Sequence, residues 1–276
     1  MKDKFDPAFK NSLKKLLKKY NNAGQEYAAK KLNLSDIDSV ISHLYHVPNE
    51  RKPEIRTNLQ NQLSFCYLCI SCLFYLCLSI YDDKNKNRGL YPDDYLAPKS
   101  EANPNFIFMC ILTNITNVAS SIIHLIEAGQ DNSARVLLRS LIEMCWQTII
   151  LEADKDSLIE FMAPENENDV TKTWYRLFGK GRIRNKIRKI EKELGIEDYW
   201  SVEADKERQI SYQFYSMSVH HSCITSAVGA FAFNFDRDTA NLGLLGGHSS
   251  ASLSTLKELC STLHYFIIYF IATHVK

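Results

Sequence analysis

The chain lacks an excess of charge of either sign. Thirty-three Lys and Arg stand against 32 Asp and Glu, a formal net charge of +1. This excludes whole-surface attraction to nucleic acid or to an acidic membrane, so binding of either kind needs a local patch. A phosphate loop is missing as well. The run Gly243 to Ser250, GLLGGHSS, has no Lys-Ser or Lys-Thr after it, and no strand is expected ahead of it, so it reads as a turn. There is no nucleophile-elbow motif, and no carboxylate and histidine set at metal-site spacing. A serine hydrolase is therefore not expected, and neither is a metal or any other cofactor.

Cysteines are present but not at framework spacings. Cys66, Cys69, Cys72, Cys77, Cys110, Cys145, Cys223 and Cys260 fall mostly inside apolar helical runs. No signal peptide is read at the Lys-rich start of the sequence, so they are expected to be reduced, buried thiols of a cytoplasmic protein. The Cys66, Cys69, Cys72 spacing is superficially that of an iron–sulfur run, but the stretch lacks the Gly and Pro that let a loop wrap a cluster. Core packing is the reading for these thiols. Leu63 to Tyr81 carries no charge and is as long as a bilayer span requires. Its Ser, Cys and Tyr content and the negative mean hydropathy of the chain, −0.24, favour a buried helix over a membrane helix.

What is abundant is helical periodicity. The clearest stretch is Asp131 to Leu151, DNSARVLLRSLIEMCWQTIIL. Arg135, Arg139, Glu143 and Gln147 make one polar column at spacings of four, and most of the remaining circumference is apolar, as in a helix inside a bundle. Asn105 to Ala128 forms the preceding helix, with Asn114, Asn117, Ser121 and His124 as its polar column. Gly129 fits a left-handed cap, and Asp131 or Asn132 can start the next helix. So short a connection makes an antiparallel helical hairpin. Residues equally far from the turn then lie level: Ser121 with Arg139, Asn117 with Glu143, His124 with Arg135 or Val136. The two columns either face each other as a buried polar seam or face apart as two wet edges.

The rest of the chain follows the same grammar. Residues 4 to 22 form an amphipathic helix with Phe5, Phe9, Leu13, Leu16, Leu17 and Tyr20 on one side and lysines elsewhere. Ser35 and Asp38 suggest a capped second helix. Residues 82–104 are polar and irregular, a loop dividing an N-terminal helical section, 1–81, from a central and C-terminal bundle, 105–276. Further helices are expected over Asp156 to Met162, Val170 to Phe178, Arg182 to Leu194 and Ser201 to Val219. The third of these is densely basic, a surface for phosphate or RNA or an ordinary solvated face. Ser252, or Thr255 with Glu258, would cap the last helix. The fold class is all-α, a multi-helix bundle around a central antiparallel hairpin.

At Arg139-Ser140-Leu141-Ile142-Glu143, taken with Ser216-Met217-Ser218-Val219-His220, the chain resembles an uncharacterised family of prokaryotic all-helical proteins. Its members show an R-S-L-x-E helix and, some tens of residues later, S-x-x-x-H. The resemblance covers about residues 105 to 235. More distantly the bundle is similar to HEPN domains, many of them ribonucleases of toxin and antiphage systems, whose signature is an Arg followed four to six residues later by a His on one helix. Here Arg208 precedes His220 by twelve positions, about 18 Å of helix, and the sequence departs from that signature.

The resemblance implies an RNA-directed effector, acting as a homodimer on RNA or a nucleotide without metal. In it His220 is general acid or base, Arg139 holds the scissile phosphate and Glu143 orients Arg139 or tunes the histidine. Arg135, Tyr212, Ser216, Asn117, Ser121 and His124 would line the substrate path. The competing expectation is a non-catalytic sensor or partner-binding subunit in which Arg139, Glu143 and His220 form an internal network fixing helix register. A membrane-associated effector using Leu63 to Tyr81 is the third class.

Overall fold

A computed structural model describes residues 52–82, 104–163, 166–179, 181–196, 198–219, 231–234, 239–242 and 251–274, and isolated positions before residue 51. It separates two compact units, Met1–Glu50 and Arg51–Lys276. In the first, the described positions between 11 and 19 are helical, as are Ser35 and Ser39. Ser35 therefore lies within a helix instead of capping one. Leu16, expected on an apolar face, is largely exposed. Phe5, Phe9, Leu13, Leu17, Tyr20 and the 83–103 stretch lie outside the described residues.

The second unit is an all-α bundle. Among the described residues, 52–58 are helical, and the helices that follow are α1 Gln60–Asp82, α2 Pro104–Glu127, α3 Asp131–Ala153, α4 Lys155–Met162, α5 Glu167–Phe178, α6 Arg182–Glu193, α7 Asp198–Val219 and α8 Ala251–His274. Between α7 and α8 in the sequence lies an antiparallel ribbon, β1 Phe231–Asn234 and β2 Thr239–Leu242, in which Phe231 pairs with Leu242 and Asn234 with Thr239. This corrects the reading of the glycine-rich run, because a strand does lead directly into Gly243. Short runs such as Phe231 to Asn234 show too few alternations to announce a strand.

The hairpin of α2 and α3 is the centre of the unit. Gly129, at φ 73°, makes the left-handed turn that L side chains resist. Its N–H and that of Gln130 return to the carbonyls of Ile126 and Leu125. Neither Asp131 nor Asn132 caps α3, however. Gln130 is the first flanking residue, without a side-chain cap bond, and Asp131 sits one position inside with its carboxylate committed elsewhere. Leu138, Leu141, Ile142, Cys145 and Ile149 of α3 are fully buried. They pack among α2, α7 and α8, where Phe266 and Phe270 fill the centre. By area burial each such side chain contributes about 1.5–3 kcal/mol.

Helix α1 packs on α2 and α8, so the helix preceding the 82–104 stretch shares one compact unit with the bundle. Leu63, Cys66, Cys69 and Leu73 make its inner face, and Cys66 Sγ lies 3.3 Å from Cys260 Sγ of α8. The outer face is bare. Leu68 is 59% and Tyr75 67% exposed, beside Phe65, Phe74 and Leu78. The expected buried helix is thus buried on one side only. Gln60–Ile80 and Phe106–Glu127 are each long and apolar enough to cross a membrane.

Side-chain caps separate the shorter helices. Asp154 accepts from Ser157 N–H at 3.3 Å and starts α4, and Asn166 accepts from Asp169 N–H at 3.1 Å and starts α5. The expected cap of α8 does not form. Ser252 is buried inside the helix, Thr255 donates to Asp131 Oδ1 at 2.7 Å, and Glu258 accepts from Ser211 at 3.1 Å.

Candidate functional site

The polar column of α3 finds its partners on α7. Arg139 pairs with Glu143 one turn on, donates to Tyr212 Oη, and donates through Nε to Ser216 Oγ at 3.0 Å. Tyr212 in turn donates to Glu143 Oε1 at 3.0 Å. The Arg139 guanidinium carbon lies 4.2 Å from the Tyr212 ring centroid, adding a cation–π contact. Arg139 and Glu143 keep only 18% and 20% of their side-chain surface. Burial foremost, with Glu143 adding to it and Arg139 opposing, raises the Tyr212 pKa.

Four of the residues picked from the sequence, Arg139, Glu143, Tyr212 and Ser216, therefore meet. Arg135 is buried in a separate knot, 2.6 Å from Asp131 and 3.4 Å from Thr255, with its guanidinium 5.5 Å from the Phe214 ring. Asn117, Ser121 and His124 are exposed on α2, and Ser121 bonds back to the Asn117 carbonyl. The two columns thus face apart, because α2 turns Ile115, Ala119, Ile122 and Ile126 inward and its polar side to water. These three residues lie on the wet edge and do not join the Arg139 cluster. His220 lies outside the described residues.

Beside the Arg139 cluster opens a cavity of about 430 Å³, walled by α3, α5, α6 and α7. Ligand pockets commonly span about 300–1,000 Å³. Trp146, Trp174, Tyr175, Phe178 and Tyr212 supply aromatic surface, and Trp146 and Tyr212 are stacked at 6.0 Å and 26°. The corner between α5 and α6 closes one side. A Cβ at Gly179 would lie 2.6 Å from the Tyr175 carbonyl oxygen, so only glycine allows this approach. Arg182 Nη1 ties the same carbonyl at 2.8 Å.

A second network bounds the cavity on its far wall, where Arg184, Asp205 and Arg208 line it. Its hub is Glu191 of α6, 0% exposed. Arg208 grips that carboxylate with two nitrogens, at 2.7 and 3.2 Å. Ser201 donates to it at 2.5 Å, Tyr265 at 3.2 Å and Tyr269 at 3.4 Å. A buried carboxylate is tolerated only when so fully bonded. Burial opposes the Arg208 charge, yet Tyr265, Glu191 and Asp205 raise its pKa above the ordinary arginine value. Burial pushes Tyr265 far up and Tyr269 to about 12, with Glu191 adding to both. Alongside, Arg184 donates to the buried Asp205 at 2.5 Å.

Sequence reading missed Glu191 and the cavity. The basic face of α6 concealed the first: Arg182, Arg184 and Lys186 reach Tyr175, Asp205 and Ser157, while Arg188, Lys189 and Lys192 are exposed. The signal that could have shown the second is the aromatic cluster Trp174, Tyr175 and Phe178 running straight into Gly179.

Residues 105–231 match a family of unknown function, DUF5677. The match falls where the sequence resembles an uncharacterised family, and it covers the α2–α3 hairpin and all four helices that wall the cavity. Helices α1 and α8 lie beyond it, and with them Tyr265 and Tyr269. No curated protein and no solved structure matches the chain.

Proposed function

We propose that the chain is a non-catalytic helical sensor whose receptor is the cavity between α3, α5, α6 and α7. The observation that carries this reading is that a cavity of ligand size is walled by four separate helices and bordered by two networks, one joining α3 to α7 and the other α6 to α7. A molecule held there touches all four helices at once, so its binding energy acts on their relative packing. The RNA-directed effector asks Arg139 to hold a phosphate. Each of its three guanidinium nitrogens is already engaged, by Glu143, Tyr212 and Ser216, which favours the sensor.

The test is thermal stabilisation by a small-molecule library, run on the wild type and on Ile187→Trp, which fills the cavity. Compounds that raise the wild-type Tm and leave the filled variant unmoved support the sensor. A library with no such compound removes it. Expression of the wild type beside His220→Ala provides the opposing arm, and RNA degradation confined to the wild type would establish the effector instead.

A further inference from the structure

Resting on the sensor reading, we infer that the cavity takes an uncharged, planar ring system with a hydrogen-bonding edge. Two observations lead there. The first is surface: Trp146, Trp174, Tyr175, Phe178 and Tyr212 all line one cavity, and Trp146 with Tyr212 already forms a stacked pair. Aromatic faces reward a ring held parallel or edge-on far more than a flexible chain.

The second is charge. Four charged side chains line the cavity, and each is answered from within the protein: Glu143 by Arg139, Asp205 by Arg184, and Arg208 by Glu191. A charged ligand would have to compete for a counter-charge already in use, either in the largely enclosed Arg139–Glu143 and Arg208–Glu191 pairs or at the half-exposed Arg184 that holds the buried Asp205. One uncharged polar group on offer is Gln209, an exposed side chain that lines the cavity. Its amide both donates and accepts, so it suits a ring edge that presents a nitrogen or a carbonyl.

Three probes of one size separate these features: acridine, which is neutral at pH 8, N-methylacridinium, a cation, and 9-anthracenecarboxylate, an anion. Each is titrated into the full chain while tryptophan fluorescence is followed, with Trp174→Ala, Trp174→Phe and Gln209→Leu in parallel and circular dichroism confirming the fold. Acridine should bind at least about tenfold tighter than either charged probe. Its affinity should fall about 3- to 10-fold in Trp174→Ala and recover in Trp174→Phe, which keeps a flat face. Equal or tighter binding of a charged probe overturns this inference and leaves the sensor standing. Failure of all three to bind overturns it too, and the library on the filled variant then decides separately whether the sensor falls with it.

Discussion

The two networks that flank the cavity differ in depth and in how their members are spread along the chain. Arg139 and Glu143 are four residues apart on one helix and keep about a fifth of their side-chain surface, and Tyr212 and Ser216 are their nearest partners on α7. Glu191 is wholly enclosed, and its partners stand 10, 17, 74 and 78 residues away. The first is a pair formed within a helix and braced from outside. The second exists only after three helices have come together, and so it is a product of the tertiary fold.

That difference sets the order of expected losses. Glu191→Ala removes the two-nitrogen partner of the largely buried Arg208 guanidinium, and urea unfolding should show a loss of about 3–5 kcal/mol; a loss under about 1 kcal/mol would make the hub energetically idle. Gly179→Ala forces a side chain against the Tyr175 carbonyl and should cost about 1–3 kcal/mol, with a matching fall in cavity-dependent fluorescence quenching. Arg139→Met, nearer to water, should cost about 1–2 kcal/mol. Its coupling to Tyr212→Phe in a double-mutant cycle should be about 1 kcal/mol, and strict additivity would show that the two do not act as a unit.

The smallest effect is in the response to acid. Arg56 and Lys52, at 2.6 and 2.8 Å, outweigh burial and hold the Glu127 carboxyl below its ordinary value. A lowered folded pKa means stability that is fully present above about pH 4.5, the ordinary glutamate value, and is lost as pH falls through the folded one. Glu127→Gln should flatten that part of the stability profile. Glu258 has the opposite sign. Burial foremost raises its pKa, so its contribution is present below the ordinary value and fades as pH rises through the folded one. Glu258→Gln should be neutral at low pH and relatively stabilising near pH 8, measured by the same urea titrations.

How much could be read beforehand follows from these spacings. The α2–α3 hairpin was legible because Gly129 and two long apolar periods are local signals. The Arg139, Glu143, Tyr212, Ser216 set was legible because spacings of four place residues on one helical face. Which way a face turns was not. Level heights held no information on whether the columns of α2 and α3 point together, and Asn117, Ser121 and His124 turned outward because the opposite side of α2 is the more apolar. Glu191 was hidden for a deeper reason: on α6 it looks like one more acidic residue among lysines, and the tyrosines that enclose it come from the last helix. The same holds for α1, whose uncharged sequence does not say that only one of its sides is covered.

The tight corner at Gly179 also sets the outline of the cavity. Because its missing side chain is what lets the α5 end fold over its own backbone, any replacement must open the corner and change the cavity's outline. A chain of this fold without glycine there should carry a chamber of another shape.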